Sequence, residues 1–155
     1  MSTSFPLPRI EEIRNTFGML FGEGVKIEKV DEADTTRFIG LFIDDDDEPV
    51  AAFTSDLPFT CFAGAALSMI PVNGAEDALT SDEPTEMMEA NLHEIINIGS
   101  RWFMDASSPH LRLDAVYELD DLPDDAEDLL KTPAAEHFHV SIPNYGAGSF
   151  SCIST

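Results

Sequence analysis

The sequence predicts an α+β fold in which an antiparallel β-sheet carries helices packed against it, in one domain spanning residues 1–155. Three observations lead there. Short segments near both ends alternate apolar and polar residues at period two, the mark of half-buried strands. Two other segments place their apolar residues at the 3.6-residue spacing of a helix lying on a core. Between them runs Phe59–Ile70, nearly all apolar, which reads as a helix covered on several sides. With 155 residues and 43% hydrophobic content the chain can bury one proper core, and no linker divides it.

Taken in order, Arg9–Phe21 is read as a helix whose stripe is Ile10, Ile13, Phe17, Leu20 and Phe21, closed near Gly22 and Gly24. Val25–Val30 alternates as a strand. Thr35–Ile43 and Pro49–Thr54 form two more, joined by the acidic run Asp44-Asp45-Asp46-Asp47-Glu48. That run lacks the alternating ligands, central glycine and distal glutamate of a calcium loop, so it is read as a solvated hairpin turn. Ser55 and Asp56 offer an N-cap to the apolar helix, with Pro58 tolerated in its first turn. Residues 72–84 are read as an acidic loop and Thr85–Met104 as a long helix. Leu111–Tyr117 is a strand, the acid-rich stretch from Glu118 allows a short helix through Leu130, and His137–Ile142 with Ser149–Ile153 makes the final pair.

Thirty acidic residues against eight basic ones leave a net charge of −22. Such a surface repels phosphate backbones and anionic headgroups, so no nucleic-acid and no membrane partner is expected. It suits a partner with a basic patch, or solubility in salty surroundings; composition does not choose between them. No run approaches a membrane span. The opening Met1-Ser2-Thr3-Ser4-Phe5-Pro6 lacks the regions of a signal peptide, so a cytoplasmic location is expected. Cys61 and Cys152 stand apart in apolar surroundings and read as buried reduced thiols. His137 and His139 share a strand face without a third ligand, so a structural or surface role is expected and no metal site. Walker, GxGxxG, HExxH and GxSxG signatures are absent, which removes the conventional nucleotide, zinc and serine-hydrolase readings.

The informative stretch is Glu94-Ile95-Ile96-Asn97-Ile98-Gly99. At 100° per residue Met88, Leu92, Ile95, Ile96, Gly99 and Phe103 share one side of the helix, and Glu94, Asn97 and Arg101 the other. Burying the first set presents a carboxylate and a carboxamide three residues apart. Gly99 on the packing side is expected to let the helix approach the sheet closely. The N-terminal helix repeats the string as Glu12-Ile13-Arg14-Asn15, with Glu12 and Asn15 pointing away from its stripe. There Thr16-Phe17-Gly18 replaces the Ile-Gly that follows Asn97, so this candidate second site ranks below the first. The bland alternative is two ordinary solvated helix faces.

The order of elements, together with Glu94-Ile95-Ile96-Asn97-Ile98-Gly99 and the opening Pro8-x-Ile10-Glu11, resembles one unit of the CheC/CheX/FliY family of chemotaxis phosphatases. The resemblance spans about Pro8 to Ile153 and implies a CheC-like fold, an antiparallel sheet with long helices on one face. It further implies hydrolysis of the aspartyl phosphate on a phosphorylated CheY-like response regulator. Asn97 would hold the attacking water and Glu94 would pair with the regulator's active-site lysine. Mg2+ would belong to the regulator, the chain having no cofactor of its own, and the family leaves room for a homodimer. Ala90 stands where the family often has Asp or Ser, and Ser100-Arg101-Trp102-Phe103 follows where small residues and Asn are common. Arg101 is thus a candidate contact to an acidic regulator surface, or an obstruction to docking. The second functional reading is a non-catalytic CheC-like binding module in the same signalling context.

Overall fold

In the computed structural model, which describes residues 5–32, 35–131 and 134–155, six strands form one antiparallel sheet. The elements are α1 (Ile10–Phe21), β1 (Lys26–Val30), β2 (Phe38–Ile43), β3 (Pro49–Ser55), α2 (Leu57–Leu67), α3 (Val72–Thr80), α4 (Glu86–Gly99), β4 (Arg112–Glu118), α5 (Asp124–Glu127), β5 (Ala135–Ile142) and β6 (Gly146–Ser154). Strand order is β1-β5-β6-β3-β2-β4, with Phe53 opposite both Gly40 and Cys152. The central strands β2, β3 and β6 are the most apolar and lie almost wholly buried. The edge strands β1 and β4 carry Lys26, Glu28, Arg112, Asp114 and Glu118, charges that blunt an open edge.

Alternation along the strands divides two cores. Phe38, Phe42, Phe53, Phe138 and Phe150 face α1–α4 in the main core. Ile39, Leu41, Ala52 and Ile153 face the other way, onto Leu122, Ala126 and Leu129 around α5 and the following 3₁₀ turn Asp128–Lys131. The longer helices therefore share one face, as predicted, while a short one closes part of the opposite face.

Helix α2 is held where it starts. Asp56 is buried; its Oδ1 accepts from the Phe59 amide at 2.7 Å and its Oδ2 from the Ser149 amide at 3.0 Å, tying the cap to β6. A Cβ at Gly148 would stand 2.3 Å from the Phe59 nitrogen, so only glycine permits this seating.

Two expectations are corrected. The helix from Phe59 stops at Leu67, short of Ile70, because Met69 turns to φ 56° and the Ile70 amide bonds back to Ala65 at 2.9 Å. Within residues 72–84, read as a loop, α3 forms instead. Its stripe consists of the small residues Ala75 and Ala78, which pack in the main core, and it ends in the same way, with Asp82 at φ 61° and the Glu83 amide on Ala78. The hairpin run 44–48 is a turn as expected: Asp44 Oδ1 accepts from the amides of Asp46 and Glu48, and Arg112 pairs with Asp47 at 2.7 Å.

Among the described residues only Lys29, Arg37 and Arg112 of the lysines and arginines pair with carboxylates, all at least partly exposed. Even with every one of the eight bases paired, twenty-two of the thirty carboxylates would have no cation on this chain, so self-repulsion within reach of salt remains. Raising KCl from about 0.1 M to about 2 M shrinks the screening length from roughly 10 Å to under 3 Å. The expected outcome is a rise in Tm on the order of 10 °C, read by circular dichroism. A Tm flat in KCl would contradict it.

Candidate functional site

Helix α4 begins at Thr85, whose hydroxyl accepts from the Met88 amide at 3.2 Å, and Glu86 and Glu89 in its first turn oppose the positive end of the helix dipole. Met88, Leu92, Ile95, Ile96 and Gly99 are buried, while Glu94 and Asn97 are exposed, as the periodicity predicts. Beyond Gly99 the chain tightens into a 3₁₀ turn, Ser100–Phe103, shortening the helix predicted to reach Met104. Arg101 is exposed on that turn, and Trp102 and Phe103 enter the core.

Three contacts fix where the outer face of α4 points. A Cβ on Gly64 of α2 would meet the Met88 carbonyl oxygen at 2.8 Å and its Cα at 2.9 Å, so the two helix backbones touch. A Cβ on Gly40 of β2 would stand 2.5 Å from Ile96 Cγ2, so the sheet opens a slot for that side chain. Asn91 Nδ2 donates to the Gly64 carbonyl and to Ser68 Oγ, both at 2.8 Å, locking rotation. At Gly99, expected to meet the sheet, the nearest neighbour is Trp102. A Cβ there would strike the Trp102 ring at 3.1 Å, so this glycine makes room for the indole folding back under the helix.

Trp102 also joins the two motif helices. Its Nε1 donates to Thr16 Oγ1 at 3.1 Å and its ring stands edge-on to Phe17, centroids 5.6 Å apart. On α1, Glu12 and Asn15 are exposed as predicted. Glu12 is already occupied, however: its Oε1 accepts from the Arg9 amide at 3.2 Å, capping α1. The Glu94 carboxylate and the Asn97 carboxamide make no hydrogen bond or ion pair among the described residues; the backbone oxygen of Asn97 accepts from the Ser100 amide and from Ser100 Oγ, the latter at 2.7 Å. The α4 pair is thus poised toward solvent, and the α1 pair is half committed to holding its own helix.

The surroundings are acidic. Burial raises the Glu89 carboxyl above its ordinary value, and Glu118, Glu83 and Glu86 add to the rise while Arg37 opposes it. A folded-state value above the unfolded one means that ionised Glu89 works against folding at neutral pH, and acid relieves this as pH falls through the raised value. Burial also pushes the Cys61 thiol up to about 11 and Cys152 well above its usual range, so neither is a thiolate at neutral pH. Both are free and buried, as the sequence indicates. His137 Nδ1 lies 2.7 Å from Ser151 Oγ, and no group of three or more His, Cys, Asp or Glu side chains is placed to hold a metal ion among the described residues. No helix among them is long and apolar enough to cross a membrane.

No family model and no curated protein matches the sequence. Solved structures do match the fold. CheX, in the crystal structure of the CheX-CheY-BeF3-Mg2+ complex from Borrelia burgdorferi, is similar at a TM-score of 0.59 and 14% identity, over 94% of this chain and 93% of that one. The fold is CheC-like. The FliM middle domain from H. pylori is similar at 0.51 and 8% identity, over 93% of this chain and 83% of that one. In this CheC-like fold the paired Glu94 and Asn97 occupy a solvent-facing surface fixed by backbone contacts beneath it.

That arrangement separates support from display. Gly40→Val would drive a branched side chain into Ile96 and is expected to cost about 1–3 kcal/mol, whereas Asn97→Ala is expected to change stability by no more than about 0.5 kcal/mol. Urea melts of both variants check this; a strongly destabilised Asn97→Ala would mean that the carboxamide serves the fold.

Proposed function

We propose that this chain docks on a phosphorylated CheY-type response regulator and accelerates hydrolysis of its aspartyl phosphate. The observation that carries the reading is the unengaged Glu94–Asn97 pair, exposed on a helix seated by backbone contacts, in a fold it shares with a CheX that has been crystallised with CheY, BeF3 and Mg2+. Chemotaxis is the signalling setting this implies.

The chemistry asks little of the protein. An aspartyl phosphate is already a reactive electrophile, so water in line with the P–O bond suffices: its oxygen bonds to phosphorus, the aspartate carboxylate departs, and inorganic phosphate forms. A carboxamide suits the task because Asn97 can accept a hydrogen bond from the water and donate one to a phosphoryl oxygen without bringing negative charge, the water's protons staying with the phosphate that forms. Glu94 pairs with the regulator's active-site lysine and sets register. Arg101 meets an acidic group on the regulator. Magnesium is the regulator's own and neutralises phosphoryl charge there. No covalent intermediate on this chain is needed, which agrees with its buried, protonated thiols.

The α4 pair is the principal site. The α1 pair, Glu12 and Asn15, contributes less because the Glu12 carboxylate already accepts from the Arg9 amide. The test is phosphate release from a phosphorylated regulator. Asn97→Ala is expected to lower turnover about 100-fold with little change in binding; Glu94→Lys is expected to raise KM; Asn15→Ala is expected to do much less than either. Full activity in Asn97→Ala would overturn the assignment. Binding without any acceleration by the unmodified chain would make it a non-catalytic module of the same system.

A further inference from the structure

Sequence spacing along α4 extends the site beyond its two motif residues. Met87, Glu94 and Arg101 recur every seven residues, and Ala90 and Asn97 keep the same interval beside them. Seven residues are two helical turns, about 10 Å, so Met87 stands in line with Glu94 near the N-terminal end of the helix. Met87 is 54% exposed, and Ala90, one turn further along, is exposed as well. Isolated apolar residues on a surface are ordinary. Met87 differs in its register with Glu94 and in its setting between the first-turn acids Glu86 and Glu89, where a polar residue would be solvated better. Arg101 makes no ion pair among the described residues of a chain rich in carboxylates.

The strip therefore runs apolar, anionic, cationic along α4 and onto the 3₁₀ turn that follows it. Resting on the reading above, we infer that Met87 is an apolar anchor for the same regulator, which presents a hydrophobic side chain about 10 Å from its active-site lysine and a carboxylate on the lysine's other side. Charge complementarity fixes the direction of docking: reversing the regulator along α4 sets its carboxylate against Met87 and an apolar group against Arg101. The unbranched, polarisable thioether adapts to an apolar neighbour without exact shape matching. Met87 is a positioning residue; it touches none of the reacting atoms.

The test is a KM-against-kcat split in phosphate release from the phosphorylated regulator. Met87→Glu and Met87→Gln are expected to raise KM about tenfold, the scale of losing one buried apolar contact, with kcat unchanged, while Met87→Leu stays near the unmodified value. Leu119→Glu, a charge-matched change at another exposed apolar residue, is expected to leave KM unchanged. Circular dichroism confirms that each variant folds. Unchanged KM in Met87→Glu, or an equal rise in Leu119→Glu, would overturn the anchor. Asn97→Ala run alongside separates the two failures. Loss of turnover there with no effect at Met87 leaves the phosphatase reading standing and removes only the anchor; no loss at Asn97 removes both.

Discussion

The site depends on the close approach of α4 to its two supports. At Gly64 the backbones of α2 and α4 meet with no room for a side chain, and at Gly40 the sheet receives Ile96 in the space a Cβ would fill. Helices separated by side chains can rotate or slide as those side chains change rotamer; backbones in contact have far less freedom. Asn91 removes what remains by bonding to the Gly64 carbonyl and Ser68. Support is continuous below, since α2 is itself pinned through Asp56 and Gly148 to β6. The helix face that displays the exposed pair is thus fixed without burying them, which is what the proposed positioning of a water molecule in a partner's site requires.

Electrostatics shapes the same surface differently. On the proposed reading, a molecule of −22 charge would approach a phosphorylated partner against repulsion unless that partner displayed a basic patch. A carboxamide where the phosphoryl group would be met, with Arg101 outside any ion pair among the described residues nearby, would limit the local negative field. Glu94 would be the exception, and it would call for a cation on the partner. Salt would enter twice: it relieves the self-repulsion of the fold and would weaken steering toward the proposed partner.

Most of the fold was legible because its strands alternate cleanly and its two amphipathic helices carry large apolar residues in register. The outward pair Glu94 and Asn97 followed from angular position alone, and the structure exposes both. Helix α3 was not legible, since its buried stripe is alanine, which gives weak periodicity amid acidic neighbours. The end of α2 was misplaced because a methionine, not a glycine, takes the left-handed position. Gly99 shows how far sequence reasoning reaches. Its need for space was correct, but the occupant is Trp102, whose hydrogen bond to Thr16 lies 86 residues away in the chain. The occupied state of Glu12, which ranks the two candidate sites, also needs coordinates to see.

The most direct measurement maps amide chemical shifts of isotopically labelled protein as a phosphorylated or beryllofluoride-loaded receiver domain is added in salt. The expected result is perturbation concentrated on Glu94, Asn97 and their neighbours along the outer face of α4, with the opposite sheet face around α5 unmoved. Perturbation centred on α5 and the outer surface of the sheet, with α4 silent, would contradict the assignment of α4 as the working surface.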